Sequence, residues 1–504
     1  MKRSPLQAIE ALIKWDENMN IRFQRLLVKR PLPLSFHSDD LGGHLKKVLN
    51  PLDLIMIGLG ASIGTGIFVI TGLASSIAGP GIVLSFIIAS ICSLFVALCY
   101  AELSSMIPLT GSAYSYTYTI FGELFAWIIG WTMMLELTVS ISLIASGWSQ
   151  YLLGIFDALH IPLNSALTHD PMNGGLVNLP AVIIILCMAF MLLQGVRESS
   201  RLNAVLVSIK LLILITFFWI GSQIIHVENY FPVLPNGFQG VLTGAGLVIV
   251  SFTGFELIAS SAEEVKNPQR NLPIGLIGTI VICSFFYIIA GLVLTGILPF
   301  SQYANVGSPF EFALSQSGFS HLGGLLAVGI IIGITSGLQV CLYGSSRLVY
   351  ALSRDGLIPS GLAAVSAKGI PFKATILVGL MSAVFAGFAP LSLIVELLNM
   401  GTLIAFIAVA AGVLFMRHKN PDLERHFRCP MVPLVPILAI ISDLFLIVSL
   451  KTTTLFYFCI WLVIGLMVYG LYGIRQSELA KKFKIDLPYP STVEIPTPQI
   501  HEAV

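Results

Sequence analysis

Apolar residues run through this chain in long continuous stretches instead of alternating with polar ones. A helix that crosses a bilayer needs about 20 mostly apolar residues. Twelve stretches of roughly this length are present, and we number them as spans 1 to 12: 54–78, 82–106, 121–146, 176–195, 203–225, 238–262, 274–297, 322–350, 374–390, 391–415, 432–450 and 455–474. The pattern predicts an all-α membrane protein with twelve transmembrane helices.

Basic residues are concentrated on one side of the membrane in this twelve-span arrangement. All but Lys210 and Lys451 of the 27 Lys and Arg residues lie in the segments that share the side of the two termini. Cytoplasmic loops carry the excess of Lys and Arg. We therefore expect a multi-pass protein of the cytoplasmic (plasma) membrane with both termini inside. Residues 6–27 fit either an amphipathic helix on the inner leaflet or a solvated arm.

Composition excludes several other classes of protein. Of the 504 residues, 56% are apolar and 11% are charged, and the net charge is +1. Soluble domains carry about 25% charged residues. A disordered chain, a set of soluble domains and a nucleic-acid binder steered by net charge are therefore excluded. The lipid bilayer is the expected partner, with no nucleic acid.

Enzymatic chemistry also finds little support. Residues 60–64 match the GxSxG elbow of serine hydrolases, but that motif needs a His partner, and no His lies inside a span. A P-loop string for ATP hydrolysis is missing from the sequence. His160, His169, His226 and His321 lack the spacing of a zinc site, so we expect no metal and no cofactor.

Span 1 is a weak helix because of its glycines. Five glycines occur in the fifteen residues from Gly58 to Gly72, and each costs up to about 1 kcal/mol relative to alanine in a helix interior. Span 6 repeats the theme around Gly254. Paired glycine-interrupted spans in two halves indicate an inverted-repeat transporter with a site at mid-membrane. Close helix packing through small residues is the alternative explanation.

Two interrupted helices suit a ligand that carries both charges. Freed amides and the positive end of a half-helix attract a carboxylate, whereas freed carbonyls and the negative end attract an ammonium. The ligand class that bears both groups is an amino acid. This reasoning predicts a transporter, not an enzyme, with a small-molecule amino acid as its substrate.

Lys210 is the most unusual ionisable residue inside a span. It lies seven residues into the apolar stretch that begins at Ala204, about 10 Å from the cytoplasmic end. Because a buried ammonium is costly, a lysine that loses its proton during reorientation suits a coupling role. The alternative is a side chain that snorkels to the cytoplasm.

Several ordered motifs then resemble a known family. LDLIMIGLGASIGTGIFV opens span 1, PLTGSAYSYTYTIFGE joins spans 2 and 3, EEVKNPQRNLP follows span 6, and YGSSRLVYALSRDGLIP leaves span 8. Together with RLNAVLVSIKLLIL in span 5, these resemble the amino acid–polyamine–organocation (APC) superfamily, in its cationic amino acid transporter branch with bacterial amino acid permeases. The resemblance covers roughly residues 44–474.

The resemblance implies a LeuT-like 5+5 inverted repeat with spans 1 and 6 unwound. It divides the chain into an amino-terminal arm (1–50), a transport core of spans 1 to 10 (51–417), spans 11 and 12 with the preceding basic loop (418–474) and a cytoplasmic tail (475–504). It also implies secondary transport of amino acids by alternating access.

The matching motifs imply which residues of this sequence bind the substrate. Amides that hold the substrate carboxylate are expected at Ile63, Gly64, Thr65 and Gly66. Carbonyls that hold the amine are expected at Ser62, Val250, Ser251 and Thr253, beside Gly254. Phe252 is expected as a gate or pocket wall. The match puts Lys210 where sodium-driven relatives bind a cation, next to Thr335 and Ser336.

Three carboxylates also lie within the spans. Glu136 matches a glutamate of the family pattern, and it either shares protons around the substrate or caps an unwound helix. Glu256, where many relatives carry Asp, either serves a cationic substrate or ties down the unwound segment. Asp443 matches no motif of the family.

Three functional hypotheses follow. The first is a proton symporter that imports an L-amino acid, with protons as the coupling ion and Lys210 as the coupling residue. The second is an amino-acid exchanger without net proton movement, for cationic or neutral substrates. The third is a non-transporting sensor, which usually has a soluble output domain that this sequence lacks. We favour symport and a broad or neutral specificity; a small membrane subunit is a further possible partner.

Overall fold

The computed structural model describes residues 26, 28–30, 45–64, 66–158, 161, 163–304, 306, 308–389, 391–448 and 452–482. Across these ranges the fold is helical, and its one β element is an isolated parallel bridge between Leu49 and Val265. The predicted inner-leaflet helix at 6–27, apart from Leu26, and the tail beyond 482 lie outside the described residues.

Eighteen α-helices form in the described ranges. The first nine are α1 (Pro51–Ser62), α2 (Thr71–Ala78), α3 (Ile82–Met106), α4 (Ala113–Ile120), α5 (Glu123–Ala158), α6 (Leu179–Leu192), α7 (Val196–Gln223), α8 (Gly237–Val248) and α9 (Leu257–Ser260). The others are α10 (Pro268–Ile297), α11 (Pro309–Gln316), α12 (Ser320–Arg354), α13 (Phe372–Phe388), α14 (Leu391–Lys419), α15 (Leu434–Val448), α16 (Thr452–Val468), α17 (Ile474–Gln476) and α18 (Glu478–Lys482).

Tighter and wider helical turns occur between them. Two π-helical segments are Gly66–Ile70 and Tyr469–Gly473. The 3₁₀ segments are Gly79–Gly81, Ser165–Leu167, Pro171–Asn173, Val227–Tyr230, Ile249–Phe252, Ala262–Glu264, Phe300–Tyr303 and Ser360–Ala363.

Eight helical segments of the described chain are long and apolar enough to cross a membrane. They are Thr71–Met106, Glu123–Leu153, Ser199–Gln223, Gly237–Ser260, Pro268–Ile297, Val328–Arg354, Met400–Lys419 and Leu455–Gln476. The chain is thus a multi-pass membrane protein. The predicted spans 4, 9 and 11 form shorter apolar helices of 14, 17 and 15 residues. Span 1 differs most, because its helix stops at Ser62 and its second part continues through Gly79–Gly81 into α3.

The two helices with interruptions lie among the others instead of at the edge of the bundle. Helix α1 packs against α7, α10 and α12, and α8 packs against α2 and α3. Helices α3 and α10 form the most extensive helix pair. The interruptions are therefore enclosed by helices on several sides.

A stack of tryptophans attaches α16 to α5. The rings of Trp131 and Trp461 are stacked with centroids 4.5 Å apart, and the Trp131 Nε1 donates to the Trp461 carbonyl over 2.9 Å. Trp127 Nε1 donates to the Gly465 carbonyl over 2.8 Å. A Cβ at Gly465 would lie 2.3 Å from Trp131 Cδ1, so only glycine allows this approach.

Ion pairs at the end of α12 join helices near the basic end of the bundle. Buried Arg347 pairs with buried Glu264 at 2.9 Å, and Arg354 pairs with Glu263 at 2.7 Å. Tyr343 Oη also donates to Glu264, and Arg30 pairs with Asp355. Burial raises the pKa of the Glu264 carboxyl, and the neighbouring Arg347 opposes this rise. We call this set of ion pairs the α12 charge cluster.

A second charged group, the Glu102 cluster, consists of Glu102, Arg417 and Arg425. Arg417 binds the fully buried Glu102 carboxylate through two nitrogens at 2.9 and 2.8 Å. Arg425 Nε contacts the same carboxylate at 3.1 Å, and the backbone N–H of Cys429 donates to it at 2.7 Å. One carboxylate at the end of α3 thus holds the loop between α14 and α15.

We predict that Glu102→Ala destabilises the protein strongly, because it leaves the almost fully buried guanidinium of Arg425 without its countercharge. Removing one partner of a buried ion pair costs about 3–5 kcal/mol. Thermal unfolding of the purified protein measures the effect, with Glu424→Ala in the exposed part of the same loop as the matched control. Equal midpoints for the two variants would contradict the assignment.

Candidate functional site

The first interruption separates α1 from α2 in the middle of the predicted span 1. Helix α1 ends at Ser62, and Ile63 has an extended backbone with φ −78° and ψ 91°. A π-helical turn follows from Gly66 to Ile70. Ser62 and Ile63 are buried, and Thr65, one of the expected amide donors, lies outside the described residues. The N–H of Ile63 donates to the Leu59 carbonyl, so in this conformation it is engaged within the chain.

The second interruption follows α8. The 3₁₀ turn Ile249–Phe252 leads to Thr253 in an extended conformation, with ψ 152°. Gly254 then has φ +107°, which residues with a side chain rarely adopt. Helix α9 begins at Leu257. The chain therefore leaves helical geometry over a few residues, and the predicted site residues of span 6 all lie in this segment.

The two interruptions are in direct contact. A Cβ at Gly66 would lie 2.6 Å from the Cα of Ser251, and a Cβ at Gly254 would lie 2.7 Å from the Cβ of Ala61. The Ser62 hydroxyl also reaches the Phe252 carbonyl at 3.5 Å. Backbone from both halves of the sequence thus meets at one place, and its glycines make that approach possible.

Tyr287 of α10 connects the two interruptions, and sequence reasoning missed it. Its hydroxyl lies 2.8 Å from the carbonyl oxygens of both Ser62 and Ser251. A phenol has one hydrogen to donate, and each carbonyl has two lone pairs. Both carbonyls therefore retain capacity for a second donor such as a substrate ammonium. A tyrosine inside an apolar span was the available signal, since a buried phenol needs a polar partner.

Lys210 of α7 is fully buried and its ammonium has three oxygen partners. Nζ donates to the carbonyls of Gly60 at 3.0 Å and Ile63 at 2.5 Å, and to Ser336 Oγ at 2.8 Å. An ammonium has three hydrogens, so this set satisfies it completely. The side chain links α7, the end of α1 and α12. Thr335 points elsewhere, because its hydroxyl contacts Trp148 Nε1 and the Ile331 carbonyl.

The carboxylates within the spans have different surroundings. Both oxygens of Glu256 accept from the N–H of Gly254, at 3.1 and 2.8 Å, so this side chain holds the second interruption in shape. Glu136 is buried beside Thr402 and Glu256. A Cβ at Gly401 would lie 2.5 Å from the Cβ of Glu136, so α5 and α14 meet closely here.

Asp443 lies apart from this site. It is buried in α15, near Cys92 and Cys99 of α3. Its Oδ2 has no hydrogen-bond partner within the described part of the chain. Asp443 therefore does not join the group formed by the two interruptions and Lys210.

Comparison with known proteins identifies the family. A family model described as "Amino acid permease" matches residues 49–472. The chain belongs to this amino acid permease family. Its cationic amino acid transporter relatives include the vacuolar cationic amino acid transporter 4 of Arabidopsis thaliana, 34% identical over 79% of this chain and 68% of the relative.

Two bacterial relatives are more similar. The branched-chain amino acid permease BcaP of Bacillus subtilis (strain 168) is 41% identical to this chain, over 86% of this chain and 95% of the relative. The methylthioribose transporter of the same organism is also 41% identical, over 90% of this chain and 99% of the relative. The relatives carry the names of permeases and transporters, and the chain is a transport protein, not an enzyme.

We predict that Gly66→Ala abolishes transport, because the added methyl group would collide with the Ser251 backbone and separate the two interruptions. Gly246→Ala on α8 is the matched control, since a Cβ there meets no atom within 4 Å. Uptake into vesicles measures both variants. Full activity of Gly66→Ala would contradict the close contact.

We expect Tyr287→Phe to fold and to transport more slowly, because the Ser62 and Ser251 carbonyls lose their bridging donor. A single hydrogen bond contributes about 0.5–1.5 kcal/mol, or about 2- to 10-fold in rate or affinity. Concentration-dependent uptake measures the change, with Tyr230→Phe, a half-buried tyrosine on the loop before α8, as the control. Unchanged kinetics in Tyr287→Phe would rule out a role for the bridge.

Proposed function

We propose that this protein is a secondary active transporter that imports neutral L-amino acids by proton symport with alternating access. The observation that carries the proposal is the contact between the two interrupted helices, with the Lys210 ammonium on the carbonyls of one of them. Membership of the amino acid permease family supports the same class of function.

The substrate would bind through its shared amino and carboxylate groups. The carbonyls of Ser62 and Ser251, which face each other across Tyr287, are the acceptors that we assign to the ammonium. The amides of Gly64 and Gly66 lie at the start of the second half of span 1, and we assign them to the carboxylate. Val250, Thr253 and Gly254 would complete the wall, and Phe252 would cover the bound molecule.

A neutral side chain fits this site better than a cationic one. Glu256 is the acidic side chain closest along the chain to the second interruption, and both of its oxygens are bonded to Gly254 N–H. Glu136 is buried where α5 meets α14, packed against Gly401. The relatives named branched-chain amino acid permease agree with an apolar substrate side chain.

Lys210 would couple transport to protons. Protonated Lys210 ties the end of α1 to α7 and to Ser336 of α12. Loss of the proton removes the positive charge and one of three donors, which weakens the hold on α1 and allows it to move. A lysine that is protonated from outside and deprotonated toward the cytoplasm would thus carry one proton with each substrate molecule.

The proposed architecture extends the eight long helical segments to twelve crossings. The short apolar helices α6, α13 and α15 and the two parts of span 1 supply the additional crossings. Residues 51–417 would form a LeuT-like 5+5 core, followed by two further spans and a cytoplasmic tail. With both termini in the cytoplasm, the α12 charge cluster would close the inner side of the plasma-membrane carrier.

A second cargo follows from the comparison with the methylthioribose transporter. That relative is as similar to this chain as the branched-chain permease is, at 41% identity. Methylthioribose has neither an ammonium nor a carboxylate, so it would leave the Ser62 and Ser251 carbonyls with Tyr287 alone. Uptake assays should therefore include it beside leucine and arginine.

We predict that proteoliposomes containing the wild-type protein accumulate radiolabelled leucine under an inward proton gradient. With Lys210→Met, the accumulation should be lower by about tenfold or more. Lys368→Met, on an exposed loop, is the matched control and should behave as the wild type. Uptake that is independent of the proton gradient and increases when the proteoliposomes are preloaded with leucine would instead establish exchange. Binding of leucine without any flux would establish a sensor, and uptake of methylthioribose alone would establish the second cargo.

A further inference from the structure

A groove opens beside the start of α10, away from the transport site. Its volume is about 930 Å³, within the range of cavities that hold small ligands. Residues 267–270 and Ile274 of α10 form one wall, and His426 and Phe427 of the loop between α14 and α15 form the other. Neither wall contributes a residue to the two helix interruptions or to the Lys210 site.

The two walls combine positive charge with apolar surface. Arg270 and His426 are exposed and line the groove, and no acidic side chain lines it. Arg270 makes no ion pair with a carboxylate of the described chain. Helix α10 also begins here, at Pro268, and the side chain of the preceding Asn267 does not cap it. The partial positive charge of a helix N-terminus adds to that of Arg270.

Apolar residues continue from the charged mouth along the bilayer-facing surface. Ile274, one turn after Arg270, is 41% exposed, and Ile277 and Phe427 line the groove beyond it. In a membrane-spanning helix such exposed apolar side chains contact acyl chains. In the membrane orientation proposed above, the cationic end of the groove would lie at the level of the headgroups and its apolar end at the level of the hydrocarbon.

The loop wall is fixed in place by the Glu102 cluster. Arg425 and Cys429, which flank His426 and Phe427 in the sequence, both bind the Glu102 carboxylate. His426 and Phe427 are thereby held between two anchors. A groove with both walls set before binding loses little conformational entropy when a ligand enters.

We propose that this groove binds an anionic phospholipid of the inner leaflet, with the phosphate on Arg270 and His426 and an acyl chain along Ile274 and Phe427. Charge complementarity and the apolar wall together select a lipid with a negative headgroup over a zwitterionic one. A bound lipid would bridge α10, which carries Tyr287, to the loop that follows α14. This proposal uses the membrane orientation given above but does not depend on the transported substrate.

Native mass spectrometry of the purified full-length protein tests the proposal. After incubation with equal amounts of phosphatidylglycerol and phosphatidylcholine in detergent, we expect selective retention of phosphatidylglycerol. The double variant Arg270→Gln/His426→Gln should retain at least about fivefold less of it, since the loss of one arginine near anionic lipid alone contributes about that factor. Arg428→Gln, exposed on the same loop but outside the groove, should retain as much as the wild type.

Other outcomes would overturn the proposal. Equal retention by the double variant and the wild type would show that phosphatidylglycerol binds elsewhere, and an equal loss in Arg428→Gln would show a non-specific basic surface. Displacement of the lipid by millimolar glycerol phosphate would show a site for soluble phosphate. Because the substituted side chains are exposed, all variants should fold, and matching thermal midpoints would verify it.

Discussion

The bonds from the Lys210 ammonium to the carbonyls of Gly60 and Ile63 are the interaction on which the rest of this structure depends. Inside a bilayer, backbone groups released from a helix have no water to bond with, and each unsatisfied one costs several kcal/mol. Lys210 and Tyr287 supply the donors that the broken end of α1 lacks. The interruption after α1 can persist inside the helical bundle because these side chains reach it from α7 and α10.

This arrangement also explains why a substrate would be drawn to the same place. The carbonyls of Ser62 and Ser251 are only partly satisfied by a single phenolic hydrogen. A ligand with an ammonium group offers the donors that are missing. In the proposed mechanism, the same unsatisfied carbonyls would select the ammonium of an amino acid, and the charged Lys210 beside them would couple the stability of the interruption to a proton.

Sequence reasoning predicted interruptions in spans 1 and 6 from their glycines, because glycine density weakens a helix wherever it occurs. It also brought Lys210 and Ser336 into one hypothesis through a family resemblance, and the structure places those two side chains 2.8 Å apart. Tyr287 and Glu102 were missed because no local sequence pattern marks their partners: Tyr287 bonds to backbone carbonyls, and Glu102 pairs with Arg417, which is 315 residues away in the sequence. At span 4 the helix, Leu179–Leu192, is shorter than the predicted run 176–195, because hydropathy continues beyond the last helical hydrogen bond.

The central claim is that each substrate molecule enters with the proton that Lys210 carries. The most direct test measures leucine uptake and proton uptake in one experiment, with radiolabelled leucine outside proteoliposomes and a pH-sensitive dye inside. The account predicts about one proton for each leucine in the wild type, and no leucine-dependent acidification with Lys210→Met. Leucine uptake at the wild-type rate without internal acidification would contradict it.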